Sequence, residues 1–209
     1  MNHESSHVYL VVVHLRPASG AEYAVDPQFR RPFVVTHDLV EHPLLSRPSI
    51  EDLAERLPVG SVEASAEAAP EVVGLDYAGS VVTSGLREAV QELRTRSRSL
   101  YLYNVEQDAE LAPLVHELVD EAVVLLGADP TDVVSREGYV FLAGDRAVTS
   151  AHVDHECNFL LVLRGTRAIV LRPFAVGAAY LMKGTAAERI GAMLAVAAVV
   201  GPPLCLGWV

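Results

Sequence analysis

After Pro130 the hydrophobic pattern changes period, and that change limits the fold more than any other feature of the chain. Residues 139–142, 147–154, 158–163 and 168–172 each read as a short strand, with glycines such as Gly144 and Gly165 in the turns. Sequential short strands of this kind build antiparallel barrels or sandwiches. Before Pro130 the pattern is mixed. Residues 7–15 are β-branched and apolar and read as a strand ending in a turn at 17–20, and 31–35 is a second short strand. Ser49 caps a helix over 50–57, with Glu51 and Asp52 in the first turn where the helix dipole favours acids. Residues 58–70 read as a strand and loop. Ser84 opens another helix, in which Leu86, Val90 and Leu93 fall at helical spacing. Residues 99–104 alternate as a strand. The strongest helix runs over 108–125, with Leu111, Leu114, Val115, Leu118, Ala122 and Leu125 in one stripe until Gly127 stops it. The chain is therefore expected to be α+β.

A single medium domain, with or without an appendage, fits 209 residues. The composition, 51% hydrophobic and 21% charged, supplies ample core and excludes general disorder. Sixteen basic residues against 27 acidic ones give a net charge of -11, which repels phosphate backbones. With no basic stripe, nucleic acid is excluded as a partner. Cys157 and Cys205 form neither a disulfide framework nor a CxxC pair, so a reducing cytoplasm suits the chain. The apolar stretch 8–13 is too short for a signal segment and lacks a basic leader. No dinucleotide fingerprint, P-loop or serine-hydrolase elbow occurs.

Residues 190–209 carry no charge. Pro202-Pro203 interrupts the run, and a helix over 190–200 would rise only ~16 Å at ~1.5 Å per residue. Spanning a bilayer needs ~30 Å. The reading is a buried or interface helix rather than a membrane anchor. Its apolar face, including Leu194 and Val199, is a surface for homo-oligomerisation, because an incomplete barrel exposes apolar area.

The run from Thr149 to Asn158, Thr-Ser-Ala-His-Val-Asp-His-Glu-Cys-Asn, carries the chemistry. On a strand His152 and Asp154 point the same way, since side chains alternate between faces. An imidazole and a carboxylate are two thirds of the set that holds a non-haem Fe(II) with open positions. No histidine follows His155. Parity also places Asn158 with His152 and Asp154 unless a bulge lies at 155–157.

Thr149, His152, Asp154, Asn158 and Arg167, with Asn-Phe-Leu-Leu-x-Leu-Arg-Gly between, resemble the first half of the bacterial cupin-like (JmjC-like) Fe(II)/2-oxoglutarate-dependent dioxygenases. The resemblance covers about 30–172, and its specific motif lies in 149–167. It implies a double-stranded β-helix, incomplete here, with N-terminal helices and a C-terminal apolar helix. It makes His152 and Asp154 metal ligands, and Thr149, Asn158 and Arg167 contacts to 2-oxoglutarate. Arg167 stands where the family commonly has lysine; its fork pairs bidentately but needs more room. Tyr139 and Glu156 are candidates for the pocket. The implied activity is hydroxylation of a protein side chain or small molecule, coupled to 2-oxoglutarate decarboxylation, with the iron supplying the oxygen chemistry.

The family's third ligand, a distal histidine on a late strand, has no counterpart. Residues 175–209 do not look like closing strands of a β-helix, and the C-terminus is expected to be shortened or altered. Two alternatives stand beside the oxygenase: a catalytically incomplete cupin-fold binding or scaffold protein, and a zinc-binding cupin. The zinc set would be His152, Asp154, His155 and Cys157, which adjacent residues cannot easily wrap into a tetrahedron. His37, His42 and His116 show no paired spacing and are read as structural or exposed. Tyr101 and Tyr103 share a strand face and are read as core. The organisation is then an α/β portion over 1–130, cupin-like core strands over 131–174 and an apolar tail over 175–209.

Overall fold

A computed structural model describes residues 14–18, 34–64, 80–82, 85–93, 98–144, 147, 157–171, 178–183 and 190–200. Its elements are β1 (Leu15–Pro17), β2 (Val35–His37), α1 (Arg47–Arg56), β3 (Val62–Ala64), β4 (Ser80–Val81), α2 (Leu86–Glu92), β5 (Ser99–Tyr103), α3 (Ala112–Leu125), β6 (Val133–Gly144), β7 (Cys157–Arg164), β8 (Thr166–Leu171), β9 (Ala178–Lys183) and β10 (Ile190–Val200). Helices and antiparallel sheets are both present, so the class is α+β. β1 pairs with β2, and β8 with β9. The main sheet has six strands in the order β4-β3-β5-β6-β10-β7, every neighbour antiparallel.

Residues directly opposite in antiparallel strands share a face. Val62, Leu102, Val140, Leu194 and Leu161 stand opposite one another in turn, a row of aliphatic side chains across five strands. All five are buried in one core with Leu114, Val115, Leu118, Val119, Ala122 and Val123 of α3. Fully burying an aliphatic side chain contributes about 1.5–3 kcal/mol. This row and the stripe of α3 therefore set which sheet face meets the helices. The stripe expected over 108–125 is present, but the regular helix begins at Ala112 because 105–107 and 108–111 form a short 3-10 helix and a turn. The cap of α1 is Ser46, three residues before the expected Ser49. The Oγ of Ser46 accepts the amide of Ser49, and Pro48 takes a first-turn position where its missing N–H costs nothing.

The apolar helix expected over 190–200 is a strand instead. β10 lies between β6 and β7, hydrogen-bonded on both sides. A charge-free run of alanine and valine has no period of its own, and a strand covered on both faces needs none. The expectation that 175–209 supplies no closing strands is corrected with it, since β9 and β10 both fall there. Leu194 is fully buried inside this chain, which removes it from any self-association surface. The strand expected over 147–154 lies almost wholly outside the described residues, as does 7–13 of the first strand. Among the described residues no helix is long and apolar enough to cross a membrane.

Candidate functional site

The sheet face turned away from α3 is aromatic and acidic. Cross-strand register puts Glu63, Tyr101 and Phe141 in one row, and Tyr103, Tyr139, Ala195 and Leu160 in the next. One row further, Glu137 stands opposite Ala197, which stands opposite Asn158. The four rings form a two-by-two array. Tyr139 and Phe141 stack at 11° with centroids 6.4 Å apart, and Tyr101 meets Phe141 edge-on at 5.6 Å. Tyr103 meets Tyr139 edge-on at 6.0 Å and stacks on Tyr101 at 6.1 Å. Such offset and edge-on contacts add ~0.5–1.5 kcal/mol each beyond burial. Tyr101 is buried, whereas Tyr103, Tyr139 and Phe141 are half-buried. The array is a rigid wall.

Polar groups gather at one end of this wall. The Tyr139 hydroxyl donates to Glu137, which also accepts from Ser135 Oγ at 3.0 Å. Glu63 bonds the Tyr103 hydroxyl; burial first, then the charge of Glu63, pushes that phenol well above the usual tyrosine range. Tyr103 therefore stays protonated and is a hydrogen-bond group, not a base. Asn158, second residue of β7, is exposed. One strand, β10, separates it from Glu137, a gap of roughly 10 Å at ~4.8 Å per strand.

Of the residues singled out from sequence, Tyr139 and Asn158 are therefore brought onto one face. Thr149, His152, Asp154 and Glu156 lie outside the described residues; their run ends where β7 begins. Arg167 sits on β8 opposite Met182, and its side chain is outside the described residues. Gly165, with φ 79°, turns the chain from β7 of the large sheet into β8 of the small one. A left-handed φ there suits glycine. Among the described residues no group of three or more His, Cys, Asp or Glu is placed to hold a metal ion.

No family model matches the chain. No curated protein matches it either.

Sequence reasoning missed two groupings. Tyr101 and Tyr103 were expected in the core, which holds for Tyr101 only. Glu63 and Glu137 became visible only through register, although the alternation over 135–141 already pointed at Glu137, Tyr139 and Phe141 sharing a face. The second grouping is histidine-rich. Pairing of β1 with β2 sets Leu15 opposite His37 and brings His14, Asp38 and His42 together, from positions without paired spacing.

Proposed function

We propose that the chain is an Fe(II)/2-oxoglutarate oxygenase-like protein on a cupin-like, double-stranded β-helix frame. Its activity, with iron bound, is hydroxylation of a protein side chain or a small molecule. The observation that carries this reading is the common face of Tyr139 and Asn158, with only β10 between them. Two antiparallel sheets joined at Gly165 are compatible with such a frame. The side-chain amide of Asn158 is exposed, and its N–H group is of the type that donates to a 2-oxo acid carboxylate. The aromatic wall excludes water on one side, and Glu137 fixes the hydroxyl of Tyr139 so that its ring presents a constant surface.

The donor set is where the chain departs from this type. His152 and Asp154 supply one imidazole and one carboxylate, and no histidine follows His155. These residues would supply two of the three protein ligands of such an iron centre. That shortage favours a second reading, a cupin-fold binding or scaffold protein that keeps half of the site. Carbon dioxide release from labelled 2-oxoglutarate, measured with Fe(II) and oxygen, separates the two. Turnover lost in His152→Ala supports the oxygenase; binding without turnover supports the scaffold. Neither binding nor turnover overturns both.

A further inference from the structure

The aromatic array of β5 and β6 carries a carboxylate at each of two opposite corners. Glu63 shares the row of Tyr101 and Phe141, and Glu137 lies two rows further along β6. Two strands across at ~4.8 Å and four residues along at ~3.4 Å separate their Cα atoms by roughly 17 Å. A single guanidinium or ammonium group does not reach both. Between the corners, Tyr103, Tyr139 and Phe141 each keep part of their surface exposed, and the rings of Tyr139 and Phe141 lie within 11° of parallel.

Both carboxylates are half-buried. Elsewhere in the chain such acids are neutralised or tied to the backbone. Glu51 is held by Arg47 and Asp108 by Arg56, while Glu106 and Glu121 accept backbone amides. Glu137 accepts only the hydroxyls of Ser135 and Tyr139, neutral donors that leave its charge in place. Among the described residues neither Glu63 nor Glu137 has a lysine, arginine or histidine partner. A carboxylate partly shielded from water gains more from a cation than one in bulk solvent.

Ring faces attract cations, and arginine suits this face best. Its planar guanidinium stacks on an aromatic ring while its fork pairs with a carboxylate beside the ring. A lysine ammonium is a compact, strongly hydrated charge and gives up more water to lie there. We propose that this face binds an extended polypeptide segment of a partner protein through two arginines about four residues apart, the spacing that an extended chain needs to serve both corners. One guanidinium lies over Tyr139 and pairs with Glu137; the other lies over Phe141 and pairs with Glu63. The net charge of -11 draws such a basic segment and repels an acidic one. This partner surface goes beyond the oxygenase reading and needs neither iron nor 2-oxoglutarate.

Titration of the full chain with the peptide Arg-Gly-Ser-Gly-Arg, blocked at both ends and followed by NMR at low salt without iron or 2-oxoglutarate, tests the surface. Saturable shifts centred on Glu63, Tyr103, Tyr139 and Phe141 are expected. Replacing either arginine by citrulline, which keeps the shape and removes the charge, should weaken binding about three- to tenfold, and Glu137→Gln should do the same. Tyr139→Leu should weaken it about two- to fivefold. Absence of saturation, shifts centred instead on the exposed acids Asp52 and Glu55 of α1, or equal affinity in Glu137→Gln overturns the proposal. So does equally tight binding of spermine, which would mark the face as a site for any polycation. Should the variants not fold, the citrulline peptides on wild type decide: weaker binding supports the surface, and equal binding overturns it.

Discussion

Arg56 and Asp108 form a bidentate pair that joins α1 to the turn leading into α3, with Nε to Oδ2 at 2.7 Å and Nη2 to Oδ1 at 3.1 Å. The carboxylate also accepts the amides of Glu110 and Leu111, each at 3.1 Å. Asp108 is 6% exposed and Arg56 40%, so the pair is screened on one side only. Removing the carboxylate takes the acceptor from the Glu110 amide, leaves the Leu111 amide with the carbonyl of residue 108 alone, and leaves the guanidinium with only Glu110 Oε2 at 3.2 Å. Asp108→Ala is expected to cost about 2–3 kcal/mol in urea denaturation, with an unchanged slope.

The same residue shapes the acid limb of stability. The guanidinium of Arg56 beside Asp108, helped by the two amides, holds its carboxyl below the ordinary 3.8. A depressed carboxylate contributes stability above that value and loses it as pH falls through the folded value. Stability of Asp108→Ala should therefore fall less steeply than wild type between about pH 4 and about pH 2, read from denaturation midpoints. Parallel curves would contradict this.

Gly138 lies on the helix-facing side of β6, under α3 and the 3-10 turn before it. A Cβ there would stand 2.8 Å from Val105 Cγ2 and 2.9 Å from Val115 Cγ2. Its amide donates to Glu106 Oε2 at 2.9 Å, which ties the turn down and prevents it from backing away. Gly138→Ala is expected to destabilise by about 1–3 kcal/mol through overpacking. Val134→Ser, on an exposed position of the same strand, should stay within about 0.5 kcal/mol. Thermal melts of the two variants give the comparison.

β10 in mid-sheet makes its own prediction. Leu194→Ala should cost about 2–5 kcal/mol, because the site is walled by Val140 and Leu161 and cannot collapse freely. Amides over 192–198 should exchange among the slowest in the chain, being paired on both sides. Fast exchange there would mean that the segment does not join the sheet.

Periodicity made α3 and β5 legible, because the Leu111–Leu125 stripe and the 99–104 alternation each repeat at one spacing. β10 was not legible, since alanine and valine without charge fit a buried strand and a helix equally well. The polar end of the aromatic face was half legible. Tyr139 and Asn158 stood out singly, but Glu63 and Glu137 acquire meaning only from register between strands far apart in sequence. The histidines at 14, 37 and 42 looked unrelated for the same reason: one short pairing of β1 with β2 assembles them.

Binding of 2-oxoglutarate tests the central reading most directly, by anaerobic calorimetric titration with Fe(II) present, in wild type, Asn158→Ala and His152→Ala. Loss of a hydrogen bond to a charged group costs about 1.5–3 kcal/mol, roughly a tenfold or greater weakening. The account predicts saturable, metal-dependent binding in wild type that weakens by that factor or more in both variants. Absence of binding in wild type, or equal affinity in Asn158→Ala, contradicts it.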